Sequence, residues 1–373
     1  MNRDIFGLIY AGENNLNLRE LVAMRSLAAL PVGGRYRAID FPLSNMVNTG
    51  IKKVGVITER NYHSLMDHIG SGKDWDMNKR NSGLLLLPPF DNNENRGNYR
   101  GLLDALSGAM FYLRRAKEEY CLLCGSYTVY NTNYKEMIDF HMKSGADITM
   151  LYNVEDSGSR EHFKDVVIDT DETGRVTDMK FNRTVSGRHK MGMDIYLLKR
   201  DLLVYLVEEA VSRGRYGLIE DILLPGMNKL KIYGYEYSGY VGRIVSVASY
   251  YKTNMDILDP AVHGSVFRDE NKIYTKIKDE IPVKYCEGSC VKNSLIANGS
   301  IIEGHVENSI LFRGVHVRKG AVIKNSIVMQ ASDVGAQSLL EHVILDKSVV
   351  VRDSRRLIGD ENFPIIIRKG AVV

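Results

Sequence analysis

Chemistry needs particular residue types at particular spacings, and three sets in this chain qualify for a test. Cys121-Leu-Leu-Cys124 and Cys286-Glu-Gly-Ser-Cys290 account for all four cysteines, and thiols that close together are the raw material of a zinc knuckle. His305, His316 and His342 are spread through the C-terminal part, where an imidazole could act as a general base. Ala11-Gly12 follows the apolar run Phe6 to Tyr10, the point where a buried strand turns into a loop and backbone amides could hold a ligand.

The zinc reading is weakened by its setting. Tyr120 to Cys124 reads as a strand, whose alternation sends Cys121 and Cys124 to opposite faces, whereas a metal knuckle needs both thiolates at one point. His63 and His68 show no metalloprotease spacing and read as surface or capping residues. Neither Gly-x-Gly-x-x-Gly nor Gly-x-x-x-x-Gly-Lys-Ser/Thr occurs, so dinucleotide binding and a P-loop are unsupported.

The positioning elements alternate. Phe6–Tyr10 and Val54–Thr58 read as buried strands, and Leu102–Glu118 as a helix with Leu103, Leu106, Met110 and Leu113 on one side. Tyr120–Cys124 is a strand, Asn133–Lys143 a helix and Asp147–Tyr152 a strand. This rhythm predicts an α/β, Rossmann-like domain with a mostly parallel sheet covered on both faces. Asp171-Glu-Thr-Gly174 predicts a β-hairpin turn with positive φ at Gly174. Met193–Leu198 reads as a strand and Asp201–Arg213 as a packed structural helix.

From about Val291 the pattern changes to hexads such as Ile296-Ala-Asn-Gly-Ser-Ile and Val317-Arg-Lys-Gly-Ala-Val. An aliphatic first position and a small or branched fifth predict a short left-handed parallel β-helix, three hexads to a coil and three or four coils in all. The expected domains are 1–258, a linker 259–290, and the β-helix 291–373. So short a repeat has ends and flat faces to cover, which points to subunit contacts.

A chain of 373 residues with 44% hydrophobic content is an ordinary globular protein, and 49 basic against 46 acidic residues, net +3, give no field for nucleic acid. The N-terminal apolar run is too short for a signal sequence and no stretch approaches the ~20 residues of a membrane span, so the expectation is cytoplasmic.

Ala11-Gly12, then Pro31, Gly33-Gly34-Arg35-Tyr36-Arg37-Ala38-Ile39-Asp40-Phe41 and Leu43-Ser44-Asn45, resemble the bacterial ADP-glucose pyrophosphorylases (glucose-1-phosphate adenylyltransferases), which join glucose-1-phosphate to ATP. Residues 98–105, Asn-Tyr-Arg-Gly-Leu-Leu-Asp-Ala, resemble a family segment that lies against the adenine ring. What the resemblance implies for a vestigial nucleotide site is the set Ala11, Gly12, Arg100, Gly101 and Gly125.

At the family's working positions the residues differ. The loop glycines become Glu13 and Asn15, the loop arginine Asn17 and the lysine that follows Leu27. A carboxylate at Glu13 would face phosphate oxygens without a compensating cation. The sugar-phosphate lysine corresponds to Asn182 and a pocket serine to Gly192. The two magnesium aspartates correspond to Ser126 and Arg243, so no catalytic set is intact and no metal of its own is expected, Mg²⁺ belonging to a catalytic partner.

The resemblance therefore implies the GlgD-type branch: a regulatory or scaffolding subunit in glycogen biosynthesis, paired with a catalytic chain in a heterotetramer. It leaves open self-association and a nucleotide or sugar-phosphate effector. The alternatives are an independently active glucose-1-phosphate adenylyltransferase and, third, a sugar-nucleotide enzyme whose β-helix is an acyltransferase using one of the three histidines.

Overall fold

The computed structural model describes residues 4–12, 16–78, 83–89, 99–156, 166–181 and 187–373. Its first part is built on a nine-stranded sheet. Four strands, Leu84–Leu87, Val54–Thr58, Ile5–Ala11 and Tyr120–Gly125, lie side by side in parallel. Arg188–Lys199 runs antiparallel to the last of these and carries Ile148–Asp156 and Val166–Thr170 along the rest of its length.

Two cores sandwich the sheet. Helices Leu102–Gly108, Met110–Arg115 and Arg200–Ser212 bring Leu103, Leu106, Leu113, Leu203 and Val207 to one face. Asp40–Thr49, His63–Ile69 and Lys135–Ser144 bring Leu43, Met46, Leu65 and Met137 to the other. Cys121 and Leu123 join the first core, and Leu122 and Cys124 the second. The thiols do turn their backs on each other, as strand alternation requires. The expected helix 102–118 is two helices, broken at Ala109 with φ −94° and ψ 12°. The hairpin turn is as read: Gly174 has φ 86°, and the Asp171 carboxylate accepts from the amides of Thr173 (2.9 Å) and Arg175 (3.0 Å).

The C-terminal part is a left-handed parallel β-helix of three sheets with five parallel strands each, so close to five coils rather than the three or four expected. Its first strand is Lys284–Tyr285, ahead of the boundary placed at residue 291. Nor are coils uniformly three hexads: Lys284 lies beside Ile301 and Ile301 beside His316. The coil at Ile301 is shortened at the Glu303-Gly304 corner, where a Cβ on Gly304 would sit 2.3 Å from the Ala321 carbonyl oxygen. Another corner is turned by single left-handed residues, Asn293, Asn308, Asn325 and His342 (φ 40–51°). Asparagine tolerates that conformation, and successive amides bond from coil to coil at 2.8 and 2.6 Å.

The two parts share a core. Within one β-helix sheet Leu311, Val328 and Leu345 point inward, while Ile310, Ile327 and Ile344 point outward and are fully buried against Leu18, Leu21, Leu27 and Tyr250. Each such isoleucine stabilises the seam by about 1.5–3 kcal/mol. Residues 259–283 are no loose linker. Helix Pro260–Val266 is capped by Asp259, and an extended strap follows, pinned where Ser44 Oγ accepts from the Tyr274 amide (2.8 Å) and Asn48 donates to the Lys272 carbonyl (3.0 Å). Among the described residues, no helix is long and apolar enough to cross a membrane.

Candidate functional site

The C-terminal edge of the parallel strands is where an open α/β sheet binds ligands. Ala11 and Gly125 end neighbouring strands there, with Tyr10 beside Gly125 in register, so the structure brings these two expected residues together. Ser126 follows, fully buried. Thr128–Val129 then pairs with Gly242–Arg243, Arg243 opposite Thr128, so Ser126 lies in the bend just before the ribbon that carries Arg243.

Arg243 does not point into open space. Its Nε donates to Glu155 Oε1 (3.0 Å), Nη1 to the Gly192 carbonyl (2.9 Å), and Nη2 to Asn153 Oδ1 (2.6 Å) and the Met191 carbonyl (3.4 Å). Those carbonyls flank an irregularity in the ladder between Gly192 and Tyr196, where Asp194 has φ 58°. The guanidinium is thus a buried cation held by one carboxylate, one amide oxygen and two backbone carbonyls. The donor set at the two positions, a hydroxyl and a guanidinium, does not fit Mg²⁺, which demands oxygen anions. Among the described residues there is no group of three or more His, Cys, Asp or Glu able to hold a metal.

The other expected residues scatter. Leu27 is not in the cleft at all: it is fully buried in the seam between the domains. Asn17 is exposed in the 3-10 segment Leu16–Val22. Gly12 packs on the Tyr10 ring and on Glu59, whose carboxylate accepts from Tyr10 Oη at 2.6 Å. Arg100 is paired with Asp104 (3.1 Å) and lies over the Tyr216 ring at 3.9 Å. A Cβ on Gly101 would be 2.4 Å from the Tyr216 carbonyl oxygen, which already accepts from the Leu103 amide (3.0 Å). That turn is packed against protein backbone. Glu13, Asn15 and Asn182 lie outside the described residues.

Sequence reasoning passed over a second site. The Gly33–Arg37 turn meets the β-helix and the strap across a pocket that carries Arg35, Arg37, Lys276, Lys278, Arg313 and Lys347 and no carboxylate. Lys276 is paired with Asp67 (3.2 Å) and Arg37 bonds Ser64 Oγ (3.0 Å). The remaining four have no hydrogen-bonded or ion-paired partner among the described residues. Asp40, below the turn, is engaged by His68 Nε2 (2.6 Å) and the Arg37 amide (2.9 Å). Burial and then neighbouring cations push the basic groups down: Arg313 falls below its usual range through burial and Arg35, and Lys347 to about 7 through burial, Arg37 and Arg25. Such a pocket is built for an anion. Arg35 and Arg37 were legible as part of a motif. Arg313 and Lys347 had no signal, because only the folded seam brings them there.

Residues 6–259 match the nucleotidyl transferase family and residues 283–362 the GlmU-like C-terminal hexapeptide family. The chain is 37% identical to the glycogen biosynthesis protein GlgD of Bacillus subtilis over 100% of its own length and 97% of that protein. It is 36% identical to GlgD of Geobacillus stearothermophilus, over 100% and 98%. To the glucose-1-phosphate adenylyltransferase of Halalkalibacterium halodurans it is 32% identical, over 85% and 83%. With its sheet, its β-helix and its frame motifs all accounted for, the chain belongs to the nucleotidyl transferase family, in the group formed by the GlgD proteins and the glucose-1-phosphate adenylyltransferases.

Proposed function

We propose that this chain is a regulatory and scaffolding subunit of glucose-1-phosphate adenylyltransferase, acting in glycogen biosynthesis in the cytoplasm beside a catalytic relative in a heterotetramer. The observation that supports it most is Arg243, bonded on all sides where the reaction needs a carboxylate, with Ser126 at the other metal position. Removing one transition-state donor costs about 10²–10³ in rate, and here a leucine also stands in the seam at the loop lysine's position.

The cationic pocket supports a phosphorylated effector, a sugar phosphate or a nucleotide, held at the junction of the two domains. An anion there offsets the mutual repulsion of Arg35, Arg313 and Lys347 and binds the Gly33–Arg37 turn to the β-helix more tightly. Asn254 Oδ1 accepts from the Gly33 amide (3.0 Å), on the helix Val247–Asp256 that follows Arg243, so the pocket and the altered cleft are joined by one rigid element.

The test measures ADP-glucose formation from ATP and glucose-1-phosphate with Mg²⁺ by this chain, by a catalytic relative, and by the two mixed. The proposal expects a silent chain that raises its partner's rate. Turnover by the isolated chain, abolished by changes in its own cleft, would instead make it an enzyme in its own right.

A further inference from the structure

Lys347 stands where the β-helix meets the Gly33–Arg37 turn. It lines the cationic pocket with Arg35, Arg37 and Arg313, and its Nζ has no hydrogen-bonded or ion-paired partner among the described residues. The adjacent carboxylate is engaged elsewhere: Asp346 is held by Arg25 at 2.6 and 2.7 Å and accepts the Lys347 backbone amide at 2.6 Å.

Burial, then Arg37, Arg25 and Lys369 disfavour its ammonium, with Asp346 opposing, and bring it to about 7. Arg35, Tyr36, His68, Lys276, Lys278 and Arg313 are the other titratable or charged side chains that line the cavity. A solvent-facing lysine keeps only about one amine in a thousand unprotonated near neutral pH. Here a large share of the amine is free, and guanidinium groups surround any anion formed from it.

We propose that Lys347 is a carbon dioxide acceptor. The Nζ lone pair attacks the carbon of CO₂, an N–C bond forms as one C=O electron pair moves onto oxygen, and the nitrogen loses a proton to solvent. The product is a carbamate, whose two oxygens the Arg37 and Arg313 guanidinium groups hold. No oxidant or reductant is consumed, and protonation of the nitrogen reverses the step. The pocket gains an internal negative charge and so loses its demand for an external one. Carbon dioxide takes the neutral amine and a phosphorylated ligand takes the ammonium, so the two work against each other. This goes beyond the regulatory reading and requires no partner chain.

The test uses the whole chain alone, equilibrated with ¹³C-labelled bicarbonate and CO₂ near pH 7.5. Carbamates are trapped with triethyloxonium, and the peptides are mapped by mass spectrometry. The expected result is an ethyl carbamate on Lys347 at least about tenfold above that on exposed Lys284 and Lys292. It is absent from Lys347→Arg and reduced several-fold in Arg313→Leu, which keeps the lysine. No adduct at Lys347, or equal adducts across the exposed lysines, overturns the proposal. The wild-type map alone decides it, so a poorly folding variant does not blunt the test. The rate assay with a catalytic relative is run without bicarbonate, so either idea can fail without the other.

Discussion

Arg25 and Asp346, separated by 321 positions in the chain, form an ion pair in which Nη2 of the arginine donates to both carboxylate oxygens, at 2.6 and 2.7 Å, and each side chain is 3% exposed. One comes from the segment after the altered loop and the other from the β-helix, so the pair is a rivet through the seam. Removing one partner leaves a buried charge unmatched. Asp346→Asn or Arg25→Met should cost about 3–5 kcal/mol, whereas the double change Arg25→Met with Asp346→Leu should recover much of the loss. Denaturant titration of the four proteins measures this as a cycle.

Arg243→Asp should not rebuild a metal site. It takes away the donors to the Gly192 and Met191 carbonyls and sets a carboxylate toward Glu155. The expected outcome is a loss of about 3 kcal/mol in stability with no magnesium-dependent ADP-glucose formation. Arg243→Lys, which keeps the charge but not the fork of donors, should fall between. Thermal unfolding and the rate assay read the two effects separately.

Leu27→Lys tests the same point at the loop. The position is fully buried in the shared core, so a charged amine there should destabilise the protein by about 3 kcal/mol or more without adding catalysis. A variant of unchanged stability with new turnover would show that this side chain can reach the cleft after all.

Lys347 makes stability depend on pH in a defined direction. Its folded value of about 7 lies below the ~10.4 of an unfolded chain. Between these values the unfolded state binds the extra proton, so the penalty is full below about pH 7 and stability rises as pH climbs toward 10. The gain should be at most about 4–5 kcal/mol, less what solvent screening removes at this partly exposed side chain, and Lys347→Met should flatten that part of the profile. Inorganic phosphate should bind less tightly as pH rises through 7, and calorimetry on both proteins checks it.

The unpaired cations carry a counterintuitive expectation. Without an added anion, Arg313→Leu should leave the protein as stable or more so by about 0.5–1 kcal/mol, because like charges repel. With phosphate in excess the order should reverse, since the wild type gains more from the bound ligand. Melting curves with and without phosphate distinguish the two.

Much of the fold was legible because it rests on local pattern. The apolar runs at Phe6–Tyr10 and Val54–Thr58 have no alternation and became interior parallel strands, and the hexads from Ile296 became stacked coils. Coil count and length were misjudged because Gly304 and the left-handed asparagines cut residues from corners, which a strict period of six does not anticipate. The positions that differ from the family pattern could be named from the sequence, but not the surroundings of their side chains. Glu155 and Asn153 hold Arg243 from a strand nearly ninety positions away, and Leu27 faces a domain whose contribution begins at Leu295. Contacts of that span leave no trace in spacing.

The segment that carries Arg25 and Leu27 is a fastener between the two domains. Arg25 and Leu27 hold the β-helix on, so a lysine restored at position 27 would have to be accompanied by a new way of closing the seam. The same two side chains therefore tie the stability of the first domain to the presence of the second.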